Sequence, residues 1–75
     1  MLDTLQKIVA EILRLDYREV LPESTFFCDL GADSLDLYQI MIRVGEQFHI
    51  AISSEEFERV TTVSDVVDLI QKEVN

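Results

Sequence analysis

The chain of 75 residues has little of what usually equips a small protein for chemistry: no tryptophan, one cysteine, one histidine, one proline and two glycines. With Cys28 as the single thiol, no internal disulfide can form, and the fold must rest on packing. Cys28 has no CxxC partner, no nearby histidine and no positive run to lower its pKa, so a buried or incidental thiol is expected. Long apolar runs are missing too. Met1 to Leu15 is interrupted by Asp3, Lys7, Glu11 and Arg14, unlike a secretory signal, and nothing approaches the roughly 20 apolar residues that cross a bilayer. The reading is a cytoplasmic monomer with no stable membrane insertion.

Basic residues are equally scarce. Six Lys and Arg face fifteen Asp and Glu, for a net charge of −9. Such a surface repels nucleic acid phosphates and anionic membranes and attracts partners with basic patches. Salt should relieve the self-repulsion and stabilise the fold. No metal site is expected, because the Asp29, Asp33 and Asp36 spacing lacks the ligand order of an EF-hand loop.

What the chain does have is helical periodicity and capping signals. The apolar fraction of 48% is enough for one compact domain over residues 1–75, near the lower size limit for an unaided core. Leu5, Ile8, Val9, Ile12 and Leu15 recur at helical spacing and predict a first helix from Asp3 or Thr4. A long connection follows from Asp16 to Asp33, with Phe26, Phe27 and Leu30 expected to tack it onto the core. A second helix is predicted from Ser34 to about Phe48, capped by Asp33 after a turn at Gly31. Ser53 with Glu56 forms a capping-box signal for a short third helix to about Arg59. Thr62 with Asp65 repeats it for a fourth helix, whose core stripe is Val63, Val66, Val67, Ile70 and Val74. The expected architecture is an all-α four-helix bundle.

The second helix carries two apolar stripes. Leu37, Ile40, Met41, Val44 and Phe48 form a core face, while Leu35, Tyr38 and Ile42 form another, rotated away from it. A bundle helix needs only one such face. The second is either covered by the long connection or is a docking surface beside Ser34, with Tyr38 as an amphipathic anchor.

Within DLGADSLDL, Ser34 is poorly placed as an enzyme nucleophile. His49 lies fifteen residues on, about 22 Å along a helix, beyond any direct proton transfer. Asp33 and Asp36 are weak bases for an aliphatic alcohol. As a modification site Ser34 is better placed, because unpaired N–H groups and the positive dipole end at a helix start favour an attached phosphate.

The segment FFCDLGADSLDLYQIMIRVGEQFHI, followed by EEFERVTTVSDVVDLI, resembles acyl carrier proteins of dissociated fatty-acid and related synthases, over nearly the whole chain. The resemblance implies a non-catalytic four-helix carrier whose Ser34 bears 4′-phosphopantetheine, derived from coenzyme A, through a phosphodiester. It implies Asp33 as cap and recognition neighbour, and a partner surface of Leu35, Asp36, Tyr38, Ile42 and Glu46, extended by Glu55 and Glu56. The implied partners are a phosphopantetheinyl transferase and acyl-transfer, ketosynthase and other synthase enzymes with basic docking patches. Met41, Val44, Phe48, Ile52, Phe57, Val60 and Val66 are candidate walls of an acyl pocket, each also serviceable as ordinary core.

The acidic strip common on the second helix of fatty-acid carriers is interrupted here by Gln39, Arg43, Gly45, His49 and Ala51. Fatty-acid biosynthesis is the first expectation. A specialised polyketide or other secondary acyl carrier comes next, and an aminoacyl carrier after it. An unmodified acidic helical adaptor is the alternative of a different class.

Overall fold

In the computed structural model, which describes residues 1–74, four helices pack around one core. They are α1 (Leu2–Leu13), α2 (Ser34–Phe48), α3 (Ser54–Glu58) and α4 (Val63–Val74), with a 3-10 turn over Tyr17–Glu19 between α1 and α2. The all-α expectation holds.

α1 buries Leu5, Ile8, Val9 and Ala10. It stops at Arg14, whose left-handed backbone (φ 59°) turns its N–H onto the Ala10 carbonyl, where the Leu15 N–H also donates. Leu15, expected to close the helical stripe, therefore lies past the helix end and is only partly buried. α2 ends the same way, on a left-handed His49 (φ 55°) whose N–H and that of Ile50 both reach the Gly45 carbonyl. In α4 the expected stripe holds for Val63, Val66 and Ile70, but Val74, in the last turn, is half exposed.

The long connection is ordered by hydrogen bonds to the opening of α4. Val63 and Ser64, in a first turn that has no helical acceptors, donate to the carbonyls of Ser24 and Pro22. Phe26 N–H donates to the Thr61 carbonyl at 3.1 Å, beside a single bridge between Thr25 and Thr62. Gln6 Nε2, from α1, donates to the Val20 carbonyl at 2.7 Å. Phe26 is fully buried and Leu30 packs on the core as expected. Phe27 is not a core residue: it is 51% exposed, in the turn that follows the Thr25–Thr62 bridge. Cys28 is exposed rather than buried.

At the start of α4 the Asp65 carboxylate accepts from the Thr62 and Thr61 N–H groups, both at 2.9 Å, while the Thr62 hydroxyl accepts from Asp65 N–H. The backbone bond from Thr62, then that from Thr61, hold the Asp65 carboxyl below its ordinary range. Glu56 is lowered in the same way by its bonds to Ser53, and Asp16 is lowered to about 2 by its bonds to Arg18. A depressed carboxyl contributes stability that is present above its unfolded pKa, about 4, and is lost as the pH falls through its folded value. The fold should therefore lose stability progressively below about pH 4, and Asp65→Asn should flatten part of that dependence. Urea midpoints measured from pH 6 to pH 2 check this; identical slopes for the two proteins would remove Asp65 from the account.

Candidate functional site

Ser34 is the first residue of α2, and two devices hold it there. Gly31 takes a left-handed conformation (φ 69°), which a side chain would strain. The next residue, Ala32, is buried and donates to the Phe26 carbonyl at 2.8 Å, tying the turn to the loop's anchor. Asp33 is extended and caps the helix. Its Oδ1 accepts from Asp36 N–H at 2.8 Å, and Asp36 Oδ2 accepts in return from Asp33 N–H at 3.3 Å. This reciprocal capping box was not legible beforehand, since the usual signature is Ser or Thr with Glu or Gln. It gives Asp36, expected on the partner surface, a role within the fold. Both carboxylates flanking Ser34 are occupied by backbone N–H groups, and neither is aimed at its hydroxyl as a base. Ser34 itself is exposed.

Beside Ser34 lies a groove of about 350 Å³ between α2, α3 and the loop. Its lining includes buried Phe57 with partly buried Leu37 and Met41, which make the floor. The exposed lining residues are Ser34 and Tyr38 from α2, Phe27 from the loop, and Ser54 and Glu58 from α3. Of the candidate pocket walls, Met41 and Phe57 meet here. Phe48 and Ile52 pack on the core from its edge, while Val44, Val60 and Val66 are buried within it. Val60 also borders a separate depression with Arg59, Leu69 and Lys72. Phe27, Leu37, Ser54 and Glu58 had not been singled out for the groove. For α3 the signal was available: Ser54, Phe57 and Glu58 share a face at i, i+3 and i+4.

The second stripe of α2 is bare. Leu35 is 68%, Tyr38 54% and Ile42 44% exposed, so the loop does not cover it. Ile42 reaches a small recess with Ile12 of α1, next to an Arg43–Glu11 ion pair at 3.3 Å. Glu46 and Glu55 are exposed. Glu56 closes a capping box with Ser53 and approaches Lys72 of α4 at 3.8 Å, its side chain still 31% exposed. Among the described residues no cluster of His, Cys, Asp and Glu is arranged to hold a metal ion, and no helix is long and apolar enough to cross a membrane.

An exposed serine at the head of a capped helix, beside an apolar groove in a small acidic bundle, is the arrangement of a carrier module. The family described as "phosphopantetheine attachment site" matches residues 3–70. An acyl carrier protein of Helicobacter pylori is 41% identical over 69 residues, 92% of this chain and 88% of that protein. Among solved structures, a Mycobacterium tuberculosis chain described as an acyl carrier protein superposes with a TM-score of 0.89 at 31% identity, over 95% of both chains. The acyl carrier protein of Thermotoga maritima gives 0.82 at 28% identity, over 95% of this chain and 82% of that one. The chain belongs to the phosphopantetheine-attachment family, among its acyl carrier proteins.

4′-Phosphopantetheine is thus its covalent cofactor, and acyl carrier proteins receive it from a phosphopantetheinyl transferase and work with synthase enzymes. The site fits such a group: a solvent-facing hydroxyl on an ordered helix start, with an open apolar groove alongside.

Proposed function

We propose that Ser34 is the residue that takes the phosphopantetheine arm, and that residues 1–75 act as one non-catalytic carrier domain in fatty-acid biosynthesis. The observation that carries the assignment is Ser34's presentation: it is the exposed first residue of α2, held by the Asp33–Asp36 box and the Gly31 turn. Extensive likeness to the Helicobacter pylori acyl carrier protein supports acyl carriage, and the resemblance of the segment around Ser34 to fatty-acid carriers favours that pathway. When bound, the arm supplies a terminal thiol on which an acyl group rides as a thioester, electrophilic at its carbonyl and acidified at the adjacent carbon. The chain's own residues do the rest. α2 fixes where the tether starts, which raises the cargo's effective concentration at a docked partner.

Partner enzymes with basic patches meet Leu35, Tyr38 and Ile42 flanked by Glu46 and Glu55; the acidic groups speed and orient encounter, and the apolar stripe sets residence. Incubation with coenzyme A and a phosphopantetheinyl transferase, followed by intact-mass measurement, tests the attachment. A chain that gains no mass with any competent transferase is instead an unmodified acidic adaptor.

Tyr38→Ala should lower the second-order rate of acyl transfer to a partner by about 5- to 30-fold, as expected for an exposed aromatic anchor. Glu46→Lys should have a smaller effect that fades at high salt. Circular dichroism should stay unchanged in both variants, since neither side chain is buried. Loss of helicity in both would move them from the docking surface to the fold.

A second reading, carriage in a specialised polyketide or other secondary acyl pathway, is favoured by one feature. On α2 the acidic residues give way to Gln39 and to an Arg43 that is paired with Glu11, while Tyr38 enlarges the apolar stripe.

A further inference from the structure

Phe27 has no part in the core and none in the attachment of the arm, yet it lies half exposed on the groove that Ser34 also lines. Tyr38 lines the same groove and is likewise half exposed. Two large aromatic faces left to water beside one apolar floor are an unfavourable arrangement until something flat covers them. The least exposed lining residues are Leu37, Met41 and Phe57, while the fully buried Ile40, Val44 and Val66 do not line the groove. With about 350 Å³ of space, the groove suits a short acyl group. Glu58, in the same lining, adds an acidic group that disfavours a cargo ending in a carboxylate.

We propose that this groove selects short, uncharged acyl groups with a planar conjugated or aromatic end, held against the faces of Phe27 and Tyr38. The inference rests on attachment of the arm at Ser34, because a tether starting on the groove's own wall keeps its end at high local concentration there. It assigns Phe27 a specificity role separate from partner docking: the side chain touches cargo, and its loop is fixed by the buried Phe26 beside it.

The test uses the arm-bearing protein loaded with hexanoyl, 2,4-hexadienoyl or succinyl groups, each load confirmed by intact mass. Thioester cleavage by hydroxylamine is then timed and divided by the rate for the same acyl group on free pantetheine, which removes intrinsic differences in reactivity. The hexadienoyl thioester should be protected about 3- to 10-fold more than the hexanoyl one, the range expected for aromatic stacking beyond area burial. The succinyl thioester should show no protection. Phe27→Ala and Phe27→Leu should both abolish most of the preference, the leucine variant showing that the flat ring matters rather than bulk. Equal protection of hexanoyl and hexadienoyl, or a preference that survives both substitutions, overturns the proposal while leaving Ser34 attachment intact. A protein that never takes the arm fails at the mass step, before any cleavage is timed, and overturns both.

Discussion

Ser34→Ala is expected to fold like the parent chain and to gain no mass at all with coenzyme A and a transferase, however long the incubation. Two facts make this a clean loss. The substituted atom is the only aliphatic hydroxyl on α2, and the other aliphatic hydroxyl lining the groove, that of Ser54, starts a different helix. The fold, meanwhile, does not depend on Ser34. The cap of α2 is Asp33, and the buried residues of that helix are Ile40 and Val44. Alanine is the best intrinsic helix former, so the first helical position should tolerate it within about 0.5 kcal/mol.

Asp33→Ala gives the complementary result. Removing the cap should cost about 1 kcal/mol and slow modification by fraying the turn that presents the hydroxyl, while the full mass gain is still reached. Together the two variants separate the nucleophile from its mounting. Mass gain in Ser34→Ala would locate the arm elsewhere and remove the basis for both the carrier reading and the groove inference.

Phe26→Ala should produce the largest loss of stability from any single truncation in the loop. Phe26 is fully buried, and its backbone is bonded to Thr61 on one side and Ala32 on the other. Large-to-small changes of buried Phe cost about 3–5 kcal/mol. A chain of this size holds only about 4–11 kcal/mol in total, so the variant should be partly unfolded at room temperature or lose about 15–30 °C in its thermal midpoint. The neighbouring Phe27→Ala should change stability by less than about 1 kcal/mol, because that ring is half in water already. Thermal or urea unfolding of the pair checks the contrast. Similar losses in both would mean that the loop packs differently from the arrangement described. Phe26→Ala should also slow modification of Ser34 more than its residual folded fraction explains, since Ala32 and the Gly31 turn hang from the Phe26 carbonyl.

The two phenylalanines show where legibility ended. Helical periods, caps and charge are local properties, encoded within a few residues of where they act. Asp33 as the cap of α2, the Ser53–Glu56 box, the Thr62–Asp65 box and the core face of Ile40 and Val44 could all be read from neighbours in sequence. The second stripe of Leu35, Tyr38 and Ile42 could be read too, but only the structure shows that the long connection leaves it bare. The connection between α1 and α2 has no such period. Its order comes from the opening turn of α4, some forty residues on, whose N–H groups Ser24 and Pro22 satisfy. No local pattern announces a partner that distant.

The candidate acyl pocket divides in the same way. Apolar residues at helical spacing are alike in sequence whether they line a groove or fill a core; only the packing of α3 across α2 leaves Met41 and Phe57 facing space while Val44 and Val66 do not. By itself the sequence determined a four-helix acidic module with a serine at the head of its second helix, because composition and short-range capping suffice for that. The tertiary structure decided which aromatic faces water, which carboxylates close capping boxes, and where a groove opens beside Ser34. Those outcomes depend on contacts between segments far apart in the chain, where burial is settled by geometry rather than residue type.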